Sequence, residues 1–135
     1  MTTTAELWTP GAIVGPREFT PDEIALFRFS AATWNAHRIH YDRARAEAEG
    51  LPGLAVQAHL HGAWLAQVAR SVGGPATRLR TLSWQNRAPV VAGDRVEVTG
   101  TVESVEGSLV GLSLTETGED GGVRVEGSAT VEVRP

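Results

Sequence analysis

Residues 57–72, QAHLHGAWLAQVARSV, carry the pattern that decides the fold. Large apolar side chains recur there at the three- and four-residue spacing of one helical face, and the alanines and glycine between them would let a sheet approach closely. Gly73, Gly74 and Pro75 follow directly and are typical of a helix end. The sequence therefore predicts one central, largely buried helix over 57–72.

After residue 77 the apolar period changes to two, which indicates strands. The alternating runs lie within 77–83, 96–102, 109–114 and 123–133. Short polar, glycine-rich breaks separate them, and we expect these breaks to be hairpin loops between antiparallel neighbours. Helices followed by such a meander predict an α+β domain, in which an antiparallel sheet of about five strands wraps around the central helix. The predicted hairpin loops are 92–94, 106–108 and 118–122.

Two shorter helices are predicted before the central one. Thr20 is expected to cap the first, which begins at Pro21. Asp42 is expected to cap the second, which covers 43–49 and ends at Gly50. The second should face solvent, whereas the first should bury most of its apolar side. That apolar side consists of Ile24, Leu26, Phe27, Ala31 and Trp34.

Composition narrows the classes of protein that the chain can represent. With 135 residues, 41% of them apolar, and no apolar run of membrane-spanning length, one soluble domain over 1–135 is expected. The N-terminus does not resemble a secretory signal and cysteine is absent, so we expect a cytoplasmic protein without disulfides or thiol chemistry. The net charge is −4 and the arginines are scattered, which argues against a nucleic-acid partner.

The densest polar run is residues 35–42, NAHRIHYD, which lies between the two shorter helices and ahead of the loop at 50–53. It packs two histidines, an amide and a carboxylate into a turn over the edge of the predicted core. Titratable groups gathered on such a turn are typical of a functional site. We therefore take 35–42 as the candidate active site.

The order of these segments, and above all the string FSAATWNAHRIHYD at 29–42, resembles the MaoC-like acyl-thioester hydratases and dehydratases of the hot-dog fold. The subgroup that carries NAHRIHYD is the most similar. The resemblance covers 17–133 as a hydratase-like core behind an N-terminal segment at 1–16, and a weaker match at 52–60 resembles the loop that enters the hot-dog helix. It implies reversible addition of water to a 2-enoyl thioester carried on coenzyme A or an acyl carrier protein, with no further cofactor.

The same resemblance assigns roles to three positions. His40 takes the place of the family's histidine, and Asn35 stands five residues earlier, where many relatives have aspartate. Because an amide cannot accept a proton as a carboxylate does, we expect His40 to be the sole general acid/base and Asn35 to orient water or substrate. The resemblance places the oxyanion donor at the backbone N–H of Ala58, where the central helix begins.

Other polar residues are expected near the substrate, with alternatives left open. Gln57 would either bind substrate or cap the central helix, and His37 would either contact substrate or orient its loop. Tyr41 and His59 are assigned to the substrate pocket. His61 is expected to be partly exposed or at a dimer contact.

Some residues are expected to have structural roles only. Trp34 and Trp64 are predicted to lie in the core, while Arg38 and Asp42 should form or cap local structure. No metal site is expected, because histidines two apart on a helix, as at 59 and 61, point to different sides. Residues 84–86 are left open as a pocket mouth.

The predicted sheet would expose an edge strand and an apolar face, so we expect a homodimer. The asparagine at position 35 keeps two further possibilities open: a heterodimer with a related hot-dog subunit that carries the missing carboxylate, or a chain that only binds acyl groups. Thioester hydrolysis on the same scaffold is another possibility. Neither a nucleic-acid nor a membrane partner is expected.

Overall fold

The computed structural model describes residues 8–134, so the first seven residues of the predicted N-terminal segment lie outside it. Three helices precede four of the five strands. Short 3-10 turns lie at Arg38–His40 and Gly74–Ala76. The elements are β1 (Ile13–Phe19), α1 (Glu23–Thr33), α2 (Arg43–Ala48), α3 (Ala58–Arg70), β2 (Thr77–Asn86), β3 (Val96–Glu106), β4 (Leu109–Gly118) and β5 (Val123–Val133). Within residues 8–134, no helix has both the length and the apolarity to cross a bilayer.

The five strands form one antiparallel sheet in the order β1-β3-β4-β5-β2, and α3 contacts all of them. Trp64, Leu65 and Val68 of α3 are buried against the sheet. The small residues of the helix permit this contact: a Cβ atom added at Gly62 would lie 2.6 Å from the ring of Trp84 in β2. The predicted α+β arrangement of a five-stranded sheet around one central helix is therefore confirmed.

The strand connections differ from the prediction at two places. The fifth strand is β1, which the apolar alternation did not indicate and which pairs with β3. Because β1 covers Ile13–Phe19, it spans the predicted boundary between the N-terminal segment at 1–16 and the core at 17–133. The hairpins at 106–108 and 118–122 are confirmed. The hairpin at 92–94 is wrong, because β2 pairs with β5 and residues 87–95 cross from one edge of the sheet to β3.

The cap of α1 also differs from the prediction. The cap is Asp22 and not Thr20: its Oδ1 accepts the backbone N–H of Ala25 at 2.7 Å, and the helix begins at Glu23. The predicted cap of α2 is confirmed, since Asp42 Oδ1 accepts the N–H of Arg45 at 3.2 Å. The carboxylates at the starts of α1 and α2 also interact favourably with the dipoles of these two helices.

Most of the predicted buried side of α1 is exposed. Leu26 and Ser30, one turn apart, are the residues of α1 that the core buries. The predictions for Ile24, Phe27 and Ala31 are wrong, since these side chains face outward. Trp34 is 94% exposed because it ends the helix in the left-handed conformation, at φ 55°, which directs it away from the core.

Candidate active site

His40 is buried in the 3-10 turn, with 6% of its surface exposed. Its Nδ1 lies 2.6 Å from the carbonyl oxygen of Ala55. A carbonyl oxygen only accepts, so Nδ1 carries the proton and Nε2 of the neutral ring holds the free lone pair. Burial lowers the pKa of His40 below its ordinary value of 6.5, and the nearby ring of His37 lowers it further, while the bond to Ala55 opposes both effects. The ring is therefore neutral and able to accept a proton at pH 7.

Two hydrogen bonds attach the His40 turn to the segment that leads into α3. Besides the ring contact to the oxygen of Ala55, the N–H of Ala55 donates to the carbonyl of Ile39 at 2.9 Å. Ala55 itself precedes the first residue of α3, Ala58, by three positions. The histidine that the sequence analysis selected is thus held beside the entry to the central helix.

Asn35 and His40 belong to the same turn and are connected through His37. Asn35 is half-buried, and its Oδ1 accepts the backbone N–H of His37 at 3.3 Å. The ring of His37 accepts the N–H of Ile39 at 3.3 Å and lies 5.9 Å from the ring of His40, measured between centroids. These contacts favour the loop-orienting alternative for His37.

A cavity of about 260 Å3 adjoins this turn on the side of α1. Asn35 and Tyr41 both line it, and the Tyr41 hydroxyl donates to the carbonyl of Ala36 at 2.9 Å. Apolar side chains of α1 form much of its remaining wall. The structure therefore brings two of the predicted site residues to one cavity. The lining is Phe27, Ser30, Ala31, Trp34, Asn35, Ala36 and Tyr41.

Gln57 connects the entry of α3 to α1. It is fully buried, and its Nε2 donates to the carbonyl of Leu26 at 2.7 Å and to Ser30 Oγ at 2.9 Å. Gln57 is the N-cap residue of α3, as the capping alternative has it, but its side chain makes no capping hydrogen bond. Both amide protons are engaged, whereas the buried Oε1 has no hydrogen-bond partner among residues 8–134.

Ala58 and His59 begin α3 and are both exposed. The first N–H groups of a helix have no partner within the helix and lie at its positive end, and the N–H of Ala58, the predicted oxyanion donor, is one of them. Trp84 supports this helix start: its Nε1 donates to the Ala58 carbonyl at 3.1 Å, and its rings lie edge-on to His59, 5.8 Å between centroids.

Arg38 and Asp42 have the structural role that was predicted. Their side chains form an ion pair with an N–O distance of 2.6 Å, while Asp42 caps α2. The hydrogen bond from Arg38 lowers the pKa of Asp42, with a further contribution from the backbone of Arg45. This carboxyl therefore stays ionised near neutral pH and is a poor proton carrier. Trp64 is buried as predicted and stacks on Phe19, with centroids 5.0 Å apart.

Sequence reasoning missed a buried pair formed by His61 of α3 and Glu116 of β4. His61 is 2% exposed and Glu116 is fully buried, so the expectation of a partly exposed His61 is wrong. The Nδ1 of His61 lies 2.8 and 2.9 Å from the two carboxylate oxygens. A signal was present: Glu116 continues the inward-facing alternation of Val110, Leu112 and Leu114, a position where a carboxylate is unusual.

The four histidines do not gather around one point. His59 is exposed and His61 is buried, as expected for residues two apart on a helix. Over residues 8–134, no three side chains of histidine, aspartate or glutamate form a group that could hold a metal ion.

Comparison with known proteins links the chain to hydroxyacyl-thioester chemistry. Residues 10–92 match the family model described as hydroxyacyl-thioester dehydratase type 2. Over 55 residues the chain is 54% identical to the mesaconyl-C(4)-CoA hydratase of Chloroflexus aurantiacus. That match covers 40% of this chain and about one fifth, 20%, of the length of the hydratase.

Solved structures match over nearly the whole chain. The (R)-hydratase from A. caviae involved in PHA biosynthesis superposes with a TM-score of 0.88 at 18% identity, over 94% of this chain and 98% of that one. The ChsH1-ChsH2 complex from Mycobacterium tuberculosis gives 0.87 at 20% identity, over 93% and 98%. These likenesses confirm the hot-dog fold. Since the family model covers more than half of the sequence, the chain belongs to the hydroxyacyl-thioester dehydratase type 2 family.

Proposed function

We propose that this chain is a hydro-lyase that adds water reversibly to 2-enoyl thioesters, giving 3-hydroxyacyl thioesters, with His40 as the general acid/base. The family match and the hydratase relative support the reaction class. The observation that carries the assignment of His40 is its buried ring, fixed through Nδ1 to Ala55 beside the start of α3, with a lowered pKa.

In the direction of hydration, Nε2 of His40 takes a proton from water while the water oxygen forms a bond to C3 of the acyl group. The electron pair of the C2–C3 double bond moves toward the thioester, and negative charge collects on the carbonyl oxygen. The N–H of Ala58, at the positive end of α3, stabilises that charge. Nε2 then delivers the proton to C2, which completes the addition of one water.

Asn35 has the supporting role in this mechanism. Its amide can donate to and accept from a water molecule but cannot remove a proton from it. Tyr41 shares its cavity, which supports the assignment of both residues to the proposed substrate site. The placement of Gln57, His37 and His59 at this site rests on the family resemblance alone. The NAHRIHYD string further suggests a subgroup of MaoC-like proteins that use this asparagine.

The proposed substrate is an acyl thioester of coenzyme A or of an acyl carrier protein, and no further cofactor is needed. The name of the mesaconyl-C(4)-CoA hydratase favours coenzyme A as the carrier. The assay is the loss of the enoyl-thioester absorbance on mixing the purified chain with 2-enoyl-CoA. Hydration is expected with the natural chain, and its absence over a panel of acyl lengths would contradict the proposal.

The His40→Ala variant tests the proposed residue. Loss of the general acid/base should lower kcat by about 10²-fold or more with an unchanged circular-dichroism spectrum. Gln67→Ala is the control, since Gln67 is exposed on α3. Full activity of the folded His40→Ala variant would overturn the assignment.

The Asn35→Asp variant tests the departure from the usual aspartate. A carboxylate at this position could share proton transfer with His40, so we expect hydration to become faster. The measurement is kcat of the variant and of the natural chain on the same 2-enoyl-CoA. A loss of activity would instead show that the amide has a specific task.

We also propose that the chain forms a homodimer. Exposed apolar residues of the described chain include Ile13 of the edge strand β1 and Phe27 of α1. Sedimentation equilibrium of the purified chain at micromolar concentration should give twice the mass of one chain, and a monomer would contradict this.

Asn35 favours one rival, a subunit of a heteromeric hydratase whose partner carries the missing carboxylate. The similar ChsH1-ChsH2 structure is a complex of two different components, which supports this alternative. A chain that is inactive alone and gains activity only when a related hot-dog subunit is added would support it.

A further inference from the structure

The buried pair of His61 and Glu116 lies outside the mechanism proposed so far. Glu116 is fully buried, and its register partners on the neighbouring strands are Val98 of β3 and Val125 of β5, both apolar and buried. The ring of His61 packs edge-on against Trp64, with centroids 5.3 Å apart. The imidazole is therefore the group positioned to compensate the buried carboxylate.

A buried pair of this kind contributes little to the stability of the fold. Desolvation of a buried ion pair offsets most of its Coulombic gain, and apolar residues of similar volume often stabilise a core equally well or better. Apolar residues already occupy the inward positions of β4 that precede Glu116. Packing alone therefore gives no reason for a histidine and a glutamate here.

The pair adjoins a cavity of about 240 Å3, whose lining differs from that of the cavity at Asn35 and Tyr41. His61 lines this cavity together with Ala55, whose carbonyl holds the ring of His40. The rest of the lining comes mainly from the end of β2 and the start of the crossover that follows it. Its charged member, Arg87, is held by Glu126 of β5 at 3.0 Å. The full lining is Ala55, Val56, His61, Asn86, Arg87, Ala88, Pro89 and Val90.

We propose that His61 and Glu116 form a second proton-transfer pair of the site, in which Nε2 of His61 faces the acyl group in this cavity. This inference rests on the proposed hydratase function. Glu116 binds Nδ1 of His61 and leaves Nε2 as the nitrogen for the substrate. The pair supplies the carboxylate that Asn35 lacks, from a different part of the fold.

The proton balance then uses both imidazoles. His40 takes the proton from water as the water oxygen bonds to C3. A proton held on Nε2 of His61 passes to C2, in place of delivery by His40. The carboxylate of Glu116, in contact with Nδ1, offsets the positive charge that this proton adds to the ring before the transfer. Afterwards the two rings return to their starting states by proton exchange with solvent, so one water has been added.

Glu116→Gln and His61→Gln test the pair, with the exposed Glu103→Gln of β3 as the carboxylate control. Loss of an acid that acts in the rate-limiting step should lower kcat about 10²-fold with His61→Gln and about 10-fold or more with Glu116→Gln. KM should stay within about threefold, and the alkaline limb of the pH profile of kcat should move or vanish. Glu103→Gln should match the natural chain.

Folded Glu116→Gln and His61→Gln proteins with the natural kcat and the natural pH profile would show that the pair is structural. Should the single variants fail to fold, the double variant His61→Leu with Glu116→Leu replaces them, because an all-apolar site is tolerated in cores. That variant is expected to fold and to lack the alkaline limb of the pH profile of kcat. Natural kinetics in the double variant would equally overturn the inference.

A second measurement separates this inference from the proposed function. The ring nitrogens of His61 are followed by NMR while butyryl-CoA, a saturated thioester that cannot be hydrated, is added to the natural chain. A shift of the Nε2 resonance supports the pair as part of the acyl site, even if no enoyl thioester tested is hydrated. An unchanged Nε2 resonance in a chain that hydrates enoyl thioesters would overturn the pair alone.

Discussion

At the scale of single residues, the burial of His40 affects both its proposed acid/base role and the pH dependence of the stability of the fold. Its pKa is lowered in the folded chain, first by desolvation, so the unfolded chain binds more protons at acidic pH. The contribution of this ring to stability is therefore present above its ordinary pKa and is lost as the pH falls through the folded value. The neutral His40 ring, the base of the proposed mechanism, is thus also a group whose protonation destabilises the fold at acidic pH.

We predict that the natural chain loses more stability between pH 7 and pH 5 than His40→Gln does. The amide of glutamine can still donate to the Ala55 carbonyl but does not titrate. The measurement is the free energy of unfolding by urea at the two pH values. His59→Gln, at an exposed position, should show the natural pH dependence. Identical pH dependence in the natural chain and in His40→Gln would refute the lowered pKa.

Gln57 provides a second prediction at this scale. Its replacement by alanine removes two hydrogen bonds to α1 and leaves a buried space, so the free energy of unfolding should fall by about 2–4 kcal/mol. Gln67→Ala is a matched control, because the same side chain is exposed on the same helix. Its effect should stay within about 0.5 kcal/mol. Equal effects of the two substitutions would mean that Gln57 does not hold α1.

At the scale of elements, the orientation of α1 is the sharpest difference from the sequence prediction. Leu26 is fully buried and Phe27 is 61% exposed. We predict that Leu26→Ala lowers the free energy of unfolding by about 2–5 kcal/mol. Phe27→Ala should cost less than about 1 kcal/mol, because little of that side chain leaves water on folding. Urea unfolding of both variants measures these two changes in free energy. A larger loss of stability in Phe27→Ala than in Leu26→Ala would mean that α1 turns a different side toward the core.

Helices and hairpins were predictable from the sequence wherever a clear apolar periodicity coincided with capping or turn residues. The helix predicted at 57–72 is observed as Ala58–Arg70, and the Asp42 cap and the two glycine hairpins have the predicted roles. The orientation of α1 was not predictable, since its apolar residues surround the helix and local sequence does not say which side meets the core. The exposed Trp34 follows from a backbone conformation that tryptophan rarely adopts.

At the scale of the whole molecule, the sequence predicted the layers but not every connection. Strand β1 was missed because Gly15 and Pro16 interrupt its alternation. The loop at 92–94 has the composition of a hairpin, yet which strands pair is decided by tertiary contacts. In the same way, sequence placed His40 and Asn35 on one turn, whereas the contact between His61 and Glu116 joins residues 55 positions apart.

His40 is proposed to be the general acid/base in the addition of water to an acyl thioester. The most direct measurement is mass spectrometry of a 2-enoyl-CoA incubated with the chain in water labelled with heavy oxygen. The natural chain should yield 3-hydroxyacyl-CoA that carries the label at the new hydroxyl, and the folded His40→Gln variant should yield it at a rate lower by about 10²-fold or more. An unlabelled or hydrolysed product, or equal rates for the two proteins, would contradict the proposed role of His40 in hydration.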